Sequence, residues 1–329
     1  MNDRTERKFI LDGIKSNRRR IILAGILFFI IILAVAFLIA IAIRNPTKTV
    51  WEEELLIVAA VAAGITLVVF LPVYRWGRKH SAYMFRKLHR EASLSEADAE
   101  KLRLAVEGVC LACGAEGVNV EAVVMEGINC ISSGVDSRDA LILISQAAVE
   151  NLNRDELEAL LAHEIYHIKT GETKLWALGI GLSGFILIAL ADSHSNVVPV
   201  ELGQDRALEL FRGDPAPGGF FTNLTLAGAP YILLLPFWLT FFTFALPKSR
   251  DYLADQHAIL ITHSPESLIK IIEMSDISRS RNTSWGNLFF NHMYFNQPLP
   301  PQRGPKILTR MFNTHPPAAK RIERTKSMV

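Results

Sequence analysis

The sequence predicts a mainly α membrane protein, with four transmembrane helices and a cytoplasmic α+β domain that carries a small β-sheet. Three observations predict it. The apolar residues, half of the 329, are gathered into four long uncharged runs. Basic and acidic residues segregate between the segments that join those runs. Between the second and third run lies a block of about 100 residues with ordinary globular signals.

The first run, Ile21 to Ile43, has 23 residues without a charge. At about 1.5 Å per residue a helix of that length crosses a hydrocarbon layer about 30 Å thick. Leu55 to Val73 has 19 such residues and Leu224 to Leu246 has 23, with Pro230 and Pro236 acceptable as kinks in a membrane helix. The third run, Leu175 to Ala191, has 17, at the short end for spanning, and a buried or re-entrant segment is its alternative. The chain then divides into a basic N-terminus (1–20), a membrane hairpin (21–73), and a first soluble part (74–174). A second hairpin (175–246) with an external loop (192–223) and a second soluble part (247–329) complete it.

Charge sets the orientation, because Lys and Arg near the ends of spanning helices stay on the cytoplasmic side. Residues 1–20 carry seven basic side chains, and Arg75, Arg78, Lys79, Arg86, Lys87 and Arg90 follow the second run. Residues 192–223 hold five acids against Arg206 and Arg212, and the loop 44–54 contains Glu52, Glu53 and Glu54, so both belong outside. A multi-pass protein of the cell membrane results, in contact with the lipid bilayer and with its soluble parts in the cytoplasm. The first run is an anchor rather than a cleaved signal, being long and lacking a small-residue cleavage site before Arg44. A net charge of +2 argues against nucleic acid as a partner. Three cysteines make no disulfide framework, and the Cys110/Cys113 pair, without a second pair, reads as core packing.

Within the soluble block, Leu94-Ser95-Glu96-Ala97-Asp98 predicts a staple residue, an N-cap and a capping-box acid. The helix they open carries Leu102, Leu104, Val106, Val109 and Cys113 and stops at Gly114. Residues 118–124 and 140–145 read as strands. Asn153, with Glu156 three residues on, opens a helix whose apolar set Leu157, Leu160, Leu161, Ile165 and Ile168 recurs until Gly171. After the fourth run, Ser249 could cap a helix over 251–262, and Ser264-Pro265-Glu266 starts another.

His163-Glu164-Ile165-Tyr166-His167 places two imidazoles at i and i+4, neighbours on one helical face that can reach one metal ion. A metal-bound water has a pKa near 7, and the adjacent Glu164 can take its proton and pass it to a leaving amine. The pattern is suited to metal-assisted amide hydrolysis. A catalytic zinc needs a third protein ligand. Asp251 leads, since its helix begins where the fourth run ends while His163 lies just before the third; Glu172 and His257 are rivals. Asp255, one turn beyond Asp251, could orient a ligand histidine. Ordinary helix-start chemistry accounts for these acids equally well.

The sequence resembles the HtpX/Ste24-type integral membrane zinc metallopeptidases, in the HtpX-like branch. Four stretches carry the resemblance. Asn129-Cys130-Ile131-Ser132-Ser133-Gly134 is similar to the family's N-A-F-A-T-G. Glu156-Leu157-Glu158-Ala159 runs into His163-Glu164-Ile165-Tyr166-His167. Ser249-Arg250-Asp251-Tyr252-Leu253-Ala254-Asp255 follows, and Thr314-His315-Pro316-Pro317 with Arg321 ends the series.

The resemblance implies a gluzincin-like α+β metallopeptidase fold, one Zn2+ per chain, a cytoplasmic active site, and protein substrates that are misfolded or membrane-embedded. His163 and His167 match the zinc histidines, Glu164 the general base, and Asp255 the acid that supports the metal site. His315 and Arg321 match a pair that assists the tetrahedral intermediate or holds substrate backbone; read by themselves they are a surface histidine and a helix-end arginine. Asn129, Cys130, Ile131 and Ser132 match the edge that pairs with substrate as an added strand. Asp251 stands where the family has Glu as third ligand, one methylene shorter. Two other readings stand beside this one: a membrane scaffold of the same fold that has weak or no turnover because of Asp251, and a prenyl-protein processing protease as in the Ste24 branch, against which the four-span layout argues.

Overall fold

Two of the longer helices begin at side chains that satisfy their open backbone groups. In helix α1 (Glu96–Cys113) the Ser95 hydroxyl accepts from the Asp98 N–H at 3.1 Å, and Gly114, at φ 57°, donates its own N–H back to the last turn. Asp98 does not complete a capping box: its carboxylate accepts from the Ser95 hydroxyl instead. In helix α3 (Arg154–Lys169) the box is complete, with Asn153 and Glu156 exchanging bonds of 2.9 Å in both directions. Between them lies the short α2 (Gln146–Asn151). Helix α4 (Ser249–Thr262) starts two residues earlier than the sequence suggested, and Ser249 lies within it rather than capping it. Helix α5 (Pro265–Ile277) has its proline at the first turn, where the missing N–H costs nothing. Helix α6 covers Ala318–Lys326.

The computed structural model describes residues 11–20, scattered positions between 22 and 86, and residues 89–134, 140–174, 248–278, 293–296 and 315–328. Among the described residues no helix is long and apolar enough to cross a membrane. The runs 175–191 and 224–246, with the loops 44–54 and 192–223, lie outside the described residues, and the runs 21–43 and 55–73 are described only at scattered helical positions.

Four strands form one mixed sheet in the order β1-β2-β4-β3. They are β1 (Arg90–Glu91), β2 (Asn119–Val124), β3 (Cys130–Ser133) and β4 (Leu141–Ser145). The anticipated strands 118–124 and 140–145 are β2 and β4, which run parallel with Asn119 opposite Leu141. β4 is buried at all five residues, as a continuous aliphatic run between two neighbours should be. β3 pairs antiparallel on its far side, Cys130 opposite Ile144. An isolated bridge then joins Ile131 to Tyr294, so residues 293–296 lie along part of the outer edge of β3.

One core unites these layers. Leu102 and Val109 of α1, Ile142 and Ile144 of β4, Leu157, Leu160, Leu161 and Ile165 of α3, and Leu268, Ile271 and Ile272 of α5 pack together. Each fully buried aliphatic side chain contributes about 1.5–3 kcal/mol. Cys113 packs in this core and Cys110 at its margin, neither of them in a disulfide among the described residues. Helix α3 is central, touching α1, α4, α5 and β3. A helix so placed fixes its side chains from several directions at once.

Candidate metal centre

Helix α3 carries His163, Glu164 and His167 into the interior, all buried, on the side that faces α4 and β3. Nε2 of His163 lies 3.2 Å from Nε2 of His167. A tetrahedral centre with metal–nitrogen bonds of about 2.0–2.1 Å spaces its ligand atoms about 3.3 Å apart, so the pair has the separation a shared metal ion requires. Asp251 completes the group: one ligand atom from each of His163, His167 and Asp251 lies within 4.8 Å of the others. Its Oδ2 is buried and makes no hydrogen bond to the described residues, which leaves a carboxylate oxygen open to a cation.

The other nitrogens explain why the rings stand so. Nδ1 of His163 lies 3.0 Å from Oδ1 of Asp255, and Nδ1 of His167 lies 2.7 Å from Oε2 of Glu172. A carboxylate on Nδ1 holds the proton there and leaves Nε2 as a lone pair, the form that binds metal. Glu172, a rival third ligand in the sequence, thus orients His167. His257, the other rival, directs Nδ1–H to the carbonyl of Ala162 at 3.1 Å. Neither is in the three-residue ligand group.

Charge supports the same assignment. Among the described residues of the site, four buried carboxylates (Glu164, Glu172, Asp251, Asp255) outnumber two buried guanidiniums (Arg250, Arg321). Buried charges persist only when compensated, and a cation held at the histidine pair would let these carboxylates stay ionised. Nε of Arg250 lies 3.3 Å from Oδ1 of Asp251. Burial pushes the carboxyl of Asp251 above its usual range, against the pull of Arg250 and Arg321. Burial likewise raises Glu164. Ser132, on β3, is near enough to pull Glu164 back down, although neither Oε2 of Glu164 nor Oγ of Ser132 makes a well-formed hydrogen bond among the described residues. Glu164 is therefore a poorly solvated carboxylate with a raised proton affinity, as a general base should be.

His315 and Arg321 are buried, not the surface histidine and helix-end arginine they resemble in isolation. Arg321 grips Asp255 with two bonds, Nε to Oδ2 at 2.9 Å and Nη2 to Oδ1 at 2.6 Å. Its Nη1 donates to the carbonyl of Phe295 at 3.0 Å, and Nε2 of His315 lies 2.7 Å from the carbonyl of Tyr294. Both thus meet the backbone of the buried segment 293–296 along β3. At the start of that strand the Asn129 amide closes on Asn296, accepting from its N–H at 3.2 Å and donating to its carbonyl at 2.8 Å. Cys130 and Ile131 are buried, with the Cys130 carbonyl accepting from the Phe295 N–H at 2.8 Å. Phe295 stacks edge-on to His163 with centroids 4.8 Å apart. Residues 293–296 lie in none of the sequence motifs, and Arg250 enters only as a member of the 249–255 stretch.

Comparison with known proteins agrees with this geometry. Residues 96–329 match Peptidase family M48. The chain is 30% identical over 236 residues to a protein named Protease HtpX homolog from Pyrococcus furiosus, covering 71% of this chain and 75% of that one. It is similar to the Protease HtpX homolog of Pyrococcus abyssi to the same extent, 30% over 236 residues. The Protease HtpX homolog of Listeria welshimeri is 26% identical over 322 residues, 97% of this chain and all of that protein. A buried His-His-Asp group in a chain matched over residues 96–329 gives the assignment: this protein belongs to Peptidase family M48, a family of metalloproteases.

Proposed function

We propose that this chain is a membrane-bound, zinc-dependent endopeptidase that cleaves misfolded or membrane-embedded proteins at the cytoplasmic face of the bilayer, in membrane-protein quality control. The observation that carries it is the pair of Nε2 atoms 3.2 Å apart, with the open Oδ2 of Asp251 beside them. His163, His167 and Asp251 would hold the zinc ion, which when bound supplies Lewis acidity to a water and to the scissile carbonyl. Glu164 accepts the proton and delivers it to the leaving amine. Asp255 and Glu172 hold the two imidazoles in the metal-binding tautomer. His315 and Arg321 are proposed to steady the tetrahedral intermediate or the substrate backbone. Their present acceptors are peptide carbonyls, the type of group a bound chain offers. Asn129 to Ser132 would receive substrate as an added strand in place of residues 293–296, which bond to Asn129 and Cys130 and bridge to Ile131, and a strand so held suits an enzyme that reads backbone more than side chains.

The bilayer reading rests on the four apolar runs. At the described helical positions of the first two, Ile22, Leu23, Ile26 and Ile30 are 52–65% exposed, and Ile57, Val61 and Val68 are 56–71% exposed. Aliphatic side chains turned outward in such numbers suit a lipid surface. The test is purified protein in detergent with an unfolded polypeptide substrate. About one zinc per chain, cleavage lost on chelation and restored by zinc support the reading. A chain that cuts equally well after the metal is stripped overturns it.

A further inference from the structure

Residues 11–20 are helical and lie just ahead of the first apolar run. Among them Asn17 is the buried one, 5% exposed, while Lys15, Arg18 and Arg19 face outward. A buried amide is costly unless its donors and acceptor are used. Here each is used. Nδ2 donates to the Thr170 carbonyl at 3.3 Å and to Oε1 of Glu172 at 3.3 Å, and Oδ1 accepts from Nη1 of Arg20 at 3.3 Å. The other oxygen of Glu172 holds Nδ1 of His167. The approach is close: a Cβ on Gly13 would come 2.8 Å from Cγ2 of Thr170 and 3.1 Å from the Tyr166 hydroxyl oxygen.

We propose that Asn17 is a positioning residue of the metal centre, acting on His167 through Glu172, so that the N-terminal helix is part of the centre. A carboxylate bonded at one oxygen only can turn about its last torsion, which has broad wells. Asn17 restrains that rotation by holding Oε1 from one side while His167 holds Oε2 from the other. Thr170, the second acceptor of Asn17, ends the helix that carries His163 and His167, so the same amide fixes Glu172 relative to that helix. The contact spans 155 positions of sequence and ties the ligand set to the segment that leads into the bilayer. This inference rests on the metal-centre reading.

Full-length protein in detergent is titrated with Zn2+ against a chromogenic chelator at one pH, and the visible spectrum of the Co2+-loaded protein is recorded. Asn17→Ala should weaken zinc binding by roughly tenfold, the lower end of the range for groups that hold a ligand imidazole, and should alter the cobalt bands. Lys15→Ala, on the exposed side of the same helix, should do neither. In a Glu172→Ala background the effect of Asn17→Ala should vanish, because the group it acts through is gone. Asn17→Asp keeps the size and loses the donor toward Glu172, so it should weaken zinc binding even if the alanine variant does not fold. Wild-type affinity and spectrum in Asn17→Ala or Asn17→Asp, or an undiminished loss in the Glu172→Ala background, overturns the proposal. A wild-type protein that takes up no zinc overturns the metal-centre reading itself, and this inference with it.

Discussion

Nε2 of His163 and Nε2 of His167 stand 3.2 Å apart while the opposite nitrogen of each ring faces its own carboxylate. With both Nδ1 protons claimed, the two Nε2 lone pairs converge on one point, and either a proton or a metal ion must lie there. Without metal, burial drives His163 below its usual range, and at His167 burial is outweighed by Glu172 and Glu164, which raise it, so His167 is the ring that favours a proton.

That relationship fixes a pH dependence. In the unfolded chain both imidazoles titrate near 6.5, so below that pH they bind two protons against the folded pair's one. The lowered His163 therefore contributes stability that is present above 6.5 and lost as pH falls toward its folded value. The raised His167 contributes stability present below 6.5 and lost as pH rises through its folded value. Zinc displaces the proton that folded His167 favours, so the rise in melting temperature on adding zinc should grow as pH increases from 6.5 toward the raised folded value of His167 and level off above it. Melts with and without zinc across that range check it, and a zinc effect independent of pH contradicts it.

Asp255 joins the metal centre to the C-terminal helix, since it accepts from Arg321 and from His163 through the same carboxylate. Asp255→Ala leaves a buried guanidinium without its partner and should cost about 3–5 kcal/mol. Replacing both, Asp255→Ala with Arg321→Met, should recover a large part of that loss. Denaturant unfolding of the metal-free proteins measures it, and a single-variant cost below about 1 kcal/mol would show that the pair is not a buried unit.

At Asp251 the test concerns length. Asp251→Ala should abolish tight zinc binding while leaving the fold, because the loss removes one ligand and one buried negative charge. Asp251→Glu should retain one zinc. If activity appears in Asp251→Glu where the wild type is silent, the scaffold reading replaces the enzyme reading.

Gly127 shapes the approach to β3. Its φ is 69°, and a Cβ there would meet the carbonyl oxygen of Ser278 at 2.3 Å, while the next residue's N–H bonds to the Ser278 hydroxyl at 2.9 Å. Gly127→Ala should destabilise the protein by more than about 1 kcal/mol, since both the backbone angle and the contact oppose it. An unchanged melting temperature would contradict this account of the turn.

What could be read from the sequence was what depends on neighbours. Asn153 and Glu156 announce α3, Gly114 ends α1, and the i, i+4 histidines follow from helical geometry. β2 and β4 were legible because their aliphatic runs are bounded by turn residues. β3 was not read as a strand of the sheet, because Cys130-Ile131-Ser132-Ser133 is short and mixed, and its definition comes from Ile144 and Tyr294 far along the chain. The roles of Glu172 and Asn17 were hidden for a related reason. Glu172 lies five residues from His167, yet which carboxylate faces which nitrogen is decided by α4, packed in from the far side of two apolar runs. The Asn17 contact depends on a helix 155 positions away. Tertiary packing sets both.

The central claim is that Glu164 moves the proton while His163, His167 and Asp251 hold the metal. Its most direct test is Glu164→Gln, which keeps the size of the side chain and removes its basicity. The variant should bind about one zinc, as the wild type does, and lose cleavage of an unfolded substrate by at least roughly 100-fold. Equal cleavage by the two proteins, with equal metal content, would contradict the account.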